Sequence, residues 1–404
     1  MRRKSPATAS RAPALPRPVF VLGAVSFLMD TSSELIHSLL PIFLVGVLGA
    51  SALQLGLIEG LAEATASLTR PLSGALSDAI GRRKPLLLAG YGFAALTKPL
   101  FPLATGPLTV FAARFLDRLG KGIRGAPRDA LIADLTPPGL RGRAYGLRQA
   151  LDTAGALTGP LLAVALVPLF AGDLRAVLWF AVPPAAAAVL LLALGLEEPA
   201  RPSTAPGAAL RLSLRRQDLA RLPATLWMVL AVASLGHLAR ASEAFLLLRL
   251  ADLGLAAGLV PLGLVAMNLT YTTAAWPFGI LADRFDRRLL LALALILLAG
   301  GGLLLALARS LGVAFAGILL YGLHMAASQG LLAALVADAA PAALRGTAFG
   351  LYHLTTGLAL LIAGLLAGLL WDLGGALATF AVSALLATLA AGCVLGLPRL
   401  QADS

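Results

Sequence analysis

Residues 74–84 read Gly74-Ala75-Leu76-Ser77-Asp78-Ala79-Ile80-Gly81-Arg82-Arg83-Lys84, and a related run returns as Gly279-Ile280-Leu281-Ala282-Asp283-Arg284-Phe285-Asp286-Arg287-Arg288. In both copies an apolar stretch ends near an acid, Asp78 or Asp283, and turns into a group of cations. A glycine such as Gly81 permits the tight reversal, and the acid can pair with arginines in one conformation and release them in another. A second pair of segments keeps nearly the same register. Ala133-Asp134, Pro137 and Arg141-Gly142-Arg143-Ala144-Tyr145-Gly146-Leu147 recur as Ala337-Asp338, Pro341 and Arg345-Gly346-Thr347-Ala348-Phe349-Gly350-Leu351. The offsets, 205 and 204, are about half of the 404 residues. Two motifs in register over that distance predict a two-fold internal repeat.

The composition around these motifs identifies the surrounding medium. Apolar residues make up 59% of the chain and charged residues 13%, against about a quarter charged in a soluble domain; mean hydropathy is +0.87. Too little polar surface exists to coat a soluble protein of this length, which excludes an ordinary soluble enzyme. The 32 Lys and Arg against 20 Asp and Glu leave a net charge of +12. Much of that excess sits in short connections between apolar runs, where it marks one side of a membrane rather than a nucleic-acid surface. The single cysteine, Cys393, excludes a disulfide framework and a cysteine metal cluster.

Apolar runs predict twelve spanning helices, near 18–46, 53–76, 85–105, 108–133, 144–169, 176–196, 223–248, 256–281, 288–308, 311–336, 347–371 and 374–397. They lack the two-residue alternation of barrel strands, and lipid leaves a spanning backbone few other ways to pair its polar groups. Alternate connections hold Arg82-Arg83-Lys84, Arg141 with Arg143, Arg284 with Arg287-Arg288, and Arg345, while the opposite set has Arg175, Arg249 and Arg309 as its main cations. Both termini are therefore expected in the cytoplasm, in a multi-pass protein of the inner membrane. Segment 197–222, with five Arg and with Pro199, Pro202 and Pro206, is too polar to span. The predicted organisation is a tail 1–17, a six-helix bundle 18–196, a linker 197–222, a second six-helix bundle 223–397 and a tail 398–404. The fold class is an all-α membrane protein of two pseudo-symmetric bundles.

The run 74–84 resembles the signature of the major facilitator superfamily between its second and third helices, and 279–288 resembles the echo between the eighth and ninth, with Asp286 where glycine is usual. The resemblance covers essentially the whole chain. It implies a facilitator fold and cytoplasmic gating by Gly74, Asp78, Gly81, Arg82, Arg83, Asp134, Arg141, Gly279, Asp283, Arg287, Arg288, Asp338 and Arg345. Gly155-Ala156-Leu157-Thr158-Gly159-Pro160 is similar to a motif of the antiporter branch, with Ala163 and Val164 replacing two later glycines; it implies export, although close helix packing also explains its glycines. Asp30-Thr31-Ser32-Ser33-Glu34 and the segment Gly122 to Asp134 resemble a bacterial permease subgroup distantly similar to nickel-resistance efflux permeases. The stretch Leu397 to Ser404 lacks the histidines of a nickel-binding tail.

Charges inside the predicted spans carry the functional expectation. On span 4, Arg114, Arg118, Lys121, Arg124 and Arg128 fall within an arc of about 120°. Each costs about 2.5 to 3.5 kcal/mol in lipid, so the face must look into the bundle or a watery cavity. Two readings compete: an anion-binding wall, or internal pairing with Glu59, Glu63, Asp117, Asp129 and Asp152. Asp30, Glu34 and His37 share a face of span 1, and Glu59, Glu63 and Arg70 a face of span 2. The proton-coupling candidates are Asp30, Glu34, His37, Glu59, Glu63, Arg114 and Asp152, with Arg114 at the position of the superfamily's intramembrane arginine. The substrate-binding candidates are Arg118, Lys121, Arg124, Arg240, Glu243, Asn268, Tyr271, Tyr321, His324, Gln329 and Tyr352. Ser33-Glu34 has a possible half-repeat partner in Ser242-Glu243. Gly120-Lys121-Gly122-Ile123-Arg124-Gly125 matches a dinucleotide fingerprint but lacks its strand and βαβ context.

The expected function is a proton-coupled exporter of a small anionic or zwitterionic solute that works by alternating access. It needs no cofactor or resident metal, and its partners are the solute, protons and the bilayer, with no nucleic acid and a monomeric chain. Alternatives are export of a divalent metal or its chelate, uptake of an organic anion, and, from another class, an integral membrane enzyme.

Overall fold

The computed structural model describes residues 15–198, 219, 221–341 and 344–397, and among them every regular element is helical. The start of the predicted N-terminal tail, nearly all of the linker and the C-terminal tail lie outside the described residues.

Helix α1 spans Arg17–Val47, its last turn a π-helix over Phe43–Val47. It is followed by α2 (Ala52–Ile80), α3 (Lys84–Thr97), α4 (Pro107–Leu135), α5 (Arg141–Leu169) and α6 (Leu174–Gly195). Next come α7 (Ala224–Asp252), α8 (Leu262–Arg284), α9 (Arg287–Leu307) and α10 (Leu311–Ala339). The final stretch, Arg345–Leu395, breaks at Gly374 and Gly375, the latter at φ 64°, a reversal that glycine adopts without a Cβ clash. This gives α11 (345–373) and α12 (376–395), so each expected span has a helical counterpart. Seven stretches are long and apolar enough to cross a membrane by length and composition, with α11 and α12 counted as one. Helices α2, α3, α4 and α8 fall outside that set; α3 has only 14 residues, and α2 and α4 carry charges of the site.

The repeat is visible in the elements. Helices α4 and α10 are each 29 residues long, with bounds 204 apart, and α5 and α11 begin at Arg141 and Arg345. Expectation and structure differ at α7, read as continuous over 223–248 but broken at 240–242. There Tyr321 donates to the Ala241 carbonyl at 2.8 Å, Ser383 donates to that of Ala239, and Ser242 caps the second segment. These side chains satisfy backbone groups that the break leaves free, and interrupted helices at mid-membrane line transporter sites.

Small residues set the packing. A Cβ on Gly155 would lie 2.7 Å from the Phe27 carbonyl and one on Gly159 2.6 Å from the Leu35 nitrogen. The Gly-x-x-x-Gly of α5 is thus a contact surface for α1. Between the halves, α2 meets α11: a Cβ on Gly56 would lie 2.0 Å from the Gly364 carbonyl, and one on Gly368 2.4 Å from that of Ala52. One turn further, the Asp372 carboxylate accepts from Ala52 N and Leu53 N, both at 3.0 Å, and caps α2 from across the interface. The end of the bundle that holds residues 48–51 and 374–375 is therefore sealed.

Candidate functional site: a charged cavity between the halves

Below that seal lies a cavity of about 560 Å³, with a second of about 210 Å³ that shares the lining residues Glu34, Glu63, Lys121 and Arg240. Exposed Arg70, Gln149 and Gln329 line the larger one toward the opposite end, where the motif turns are. One wall comes from α1, α2, α4 and α5, the other from α7, α8, α9, α10 and α11.

The basic face of α4 is largely neutralised within the protein. Arg114, 1% exposed, grips Glu59 through two parallel hydrogen bonds, Nε to Oε1 at 3.0 Å and Nη2 to Oε2 at 2.9 Å. This fork is the strong form of the carboxylate contact. Arg118 pairs with Glu63 at 3.1 Å. Arg124 lies over the Tyr91 ring, 4.6 Å from its centroid, and 4.0 Å from Asp30. Arg128 donates to Ser26 at 2.8 Å and to Asp152 at 3.4 Å, while Arg148 binds Asp152 at 2.6 Å and Arg70 binds Asp129 at 2.8 Å. Lys121 differs: it is exposed into both cavities and, among the described residues, has no hydrogen bond or ion pair.

Around Lys121 stand Asp30 and Glu34 of α1 and Glu63 of α2. His37, behind Glu34, sits 3.4 Å from the Glu34 carboxylate and 3.7 Å from Glu59, and neither ring nitrogen has a hydrogen-bond partner. On the facing wall Arg240 is 3.4 Å from Glu243, and Asn268, Tyr271, Gln329 and Tyr352 line the larger cavity. Tyr271 donates to Gln329 at 3.1 Å.

Two of the substrate-binding candidates hold hydrogen bonds within the protein. Tyr321 lines neither cavity; its hydroxyl is committed to the broken backbone of α7 and accepts from Arg240 at 3.1 Å. His324 does reach the larger cavity, but its Nδ1 is hydrogen-bonded to the Ala294 carbonyl at 2.8 Å, and His237 is likewise bonded to Ala233. Among the described residues no group of three or more His, Cys, Asp or Glu is placed to hold a metal ion.

The motif residues form latches at the far end. Arg83 reaches Asp78 at 3.0 Å, Asp134 at 2.7 Å and Ser77 at 2.7 Å, and its backbone N and that of Lys84 donate to Glu198. Gly81, at φ 69°, supplies the turn, and Gly74 lies against Ala126 of α4. In the second half Arg287 pairs with Asp338 and Arg288 with Asp286, which caps α9 in place of the usual glycine. Arg82 and Arg345 are exposed, Arg141 donates to the Ala133 carbonyl at 3.2 Å, and Gly279 faces open space. The Asp283 side chain is outside the described set.

Sequence reasoning missed three elements. Lys98, 1% exposed, donates to Asp117 at 2.8 Å and Ser33 at 2.9 Å; a lone lysine in an apolar run was its signal. The second is the α2–α11 seam, announced by Gly56 with Gly60 and Gly364 with Gly368. The Asp372 cap had no local signal.

Two charged, repeat-related halves around a cavity sealed at one end are the architecture of a membrane transporter. The chain belongs to the major facilitator superfamily, whose model matches residues 22–267 and 244–403. It is 31% identical to an uncharacterized MFS-type transporter of Methanocaldococcus jannaschii, over 89% of each chain. It is also 33% identical over 160 residues to the multidrug resistance protein MdtH of Yersinia pestis, 40% of this chain and 38% of that one. Among solved structures, the human organic anion transporter MFSD10 aligns with TM-score 0.66 and 23% identity over 95% of this chain and 100% of that one. The protein is thus a multi-pass membrane transporter and not an enzyme.

Proposed function

We propose that the protein exports a small anionic or zwitterionic solute across the inner membrane in exchange for protons, by rocking the bundles 18–196 and 223–397 about the central cavity. The observation that carries this reading is Lys121. It is the one cation of the α4 face left unpaired among the described residues, and it stands in the cavity beside Asp30, Glu34 and Glu63. An ammonium in that setting attracts a negative solute group, and nearby carboxylates can exchange a proton as the solute leaves. The cation-rich turns favour a cytoplasmic position for the termini, which supports reading the cavity as inward-facing. Export is supported by the antiporter-like run 155–160 and by the partial likeness to MdtH.

The test is the purified chain in proteoliposomes and inside-out vesicles, offered a panel of small anions and zwitterions while solute movement and lumenal pH are both read. Solute uptake into inside-out vesicles, driven by an acidic lumen and dissipating it, is expected. Movement only in the opposite sense, or movement indifferent to pH, would overturn the direction or the coupling respectively.

A further inference from the structure

The 210 Å³ cavity lies between the two halves and is lined by charges of both signs. Its carboxylates are Glu34, Glu59, Glu63 and Glu243, and its basic side chains, His37 aside, are Arg118, Lys121 and Arg240. Most of them satisfy one another: Glu59 with Arg114, Glu63 with Arg118, Glu243 with Arg240. Two opposite charges stand outside these arginine pairs. Lys121 has no hydrogen bond or ion pair among the described residues, and Glu34 has the His37 Nδ1 at 3.4 Å as its ion-pair contact rather than an arginine. These two groups do not form an ion pair with each other, and both line both cavities.

An ammonium and a carboxylate held apart at the edge of a pocket present a pair of opposite charges to whatever enters it. A simple anion would satisfy Lys121 and add repulsion at Glu34, whereas a solute carrying both charges satisfies each. His37 adds a further polar requirement: it is 4% exposed, its two ring nitrogens lack hydrogen bonds, and it lines the same pocket. Glu34 and Glu243 line this one pocket from opposite halves, so the bound solute touches both of them.

We infer that the solute is a small amino-acid-like zwitterion, with its carboxylate on Lys121 and its ammonium on Glu34, at the junction of the two cavities. This rests on the transporter reading above and narrows its substrate class.

The experiment uses the full chain in lipid nanodiscs and measures binding by calorimetry. The probes are small α- and ω-amino acids, each with its N-acetyl derivative, which keeps only the carboxylate, and its amide, which keeps only the ammonium. At least one amino acid is expected to bind at or below about 1 mM, and loss of either charge weakens it roughly tenfold or more. In Lys121→Gln the amino acid falls to the level of its amide, and Lys121→Arg restores the difference. In Glu34→Gln the amino acid falls to the level of its N-acetyl derivative. Thermal unfolding of each variant separates loss of the site from loss of the fold. An N-acetyl form that binds as tightly as its parent overturns the inference, as does a panel with no binder or charge preferences untouched by both variants. Transport separates the two claims: pH-coupled movement of a plain anion keeps the exporter and sinks the zwitterion, while zwitterion binding without pH coupling does the reverse.

Discussion

Arg83 donates to Asp134 at 2.7 Å, and 204 residues later Arg287 makes the same contact with Asp338. Each pair ties the start of a third helix to the end of a fourth within its own half. Because Arg83 also holds Asp78, the end of α2 is fastened to both.

Breaking this latch should slow cycling without emptying the membrane of protein. Asp134→Asn and Asp78→Asn are each expected to lower turnover in proteoliposomes by about 5- to 150-fold, the range of a conformational coupling term. Asp134→Asn is expected to be the more severe, since Asp134 is 21% exposed and Asp78 66%. Wild-type turnover in both variants would remove the gating role.

The Glu59–Arg114 fork predicts a stability effect. Glu59→Gln leaves the buried Arg114 guanidinium with only Asp117, 4.0 Å away, as counter-charge and should cost about 3 to 5 kcal/mol. Pairing it with Arg114→Gln should recover part of that loss. Thermal unfolding of the two single variants and the double variant in detergent supplies the cycle, and additive losses would contradict a mutual pair.

Arg118 and Lys121 are one turn apart on α4 but should respond differently. Arg118→Gln strands Glu63 and is expected to lower the unfolding temperature by several degrees. Lys121→Gln removes an unpaired exposed group and should stay within about 0.5 kcal/mol of wild type. Equal destabilisation would show that Lys121 has a structural partner.

Asp372 caps α2 only while the halves touch. Asp372→Ala should weaken the sealed state by about 1 kcal/mol, the usual worth of such a cap. Spin labels at Leu57 and Leu373, both exposed, should then report a larger share of long distances. A distance distribution identical to that of the otherwise unsubstituted labelled protein would rule out the cap as part of the seal.

If one of Asp30, Glu34, Glu59 and Glu63 carries the coupled proton, its amide variant should lose accumulation against a gradient while keeping solute exchange. Four amide variants that all still accumulate solute would exclude these residues.

Periodicity and composition alone determined the helices, their number and the two-fold repeat. A bilayer imposes a minimum apolar length, and a duplicated half repeats its turn residues in register. The residue types of the site were equally legible, because charge inside an apolar run is too expensive to be incidental. What no sequence interval contained was the pairing. Helical spacing put five cations on one face of α4, but whether each met an acid or stood free depended on how α1, α2, α3 and α5 approached that face. Those approaches are set by glycine contacts such as Gly90 with Gly120 and Gly155 with Phe27. They left Lys121 open to the cavity while giving Arg114 and Arg118 to Glu59 and Glu63. The same holds for Asp372, 320 residues from the amide of Ala52: a carboxylate caps a helix wherever the fold delivers it, and only the docking of α11 on α2 delivers it there.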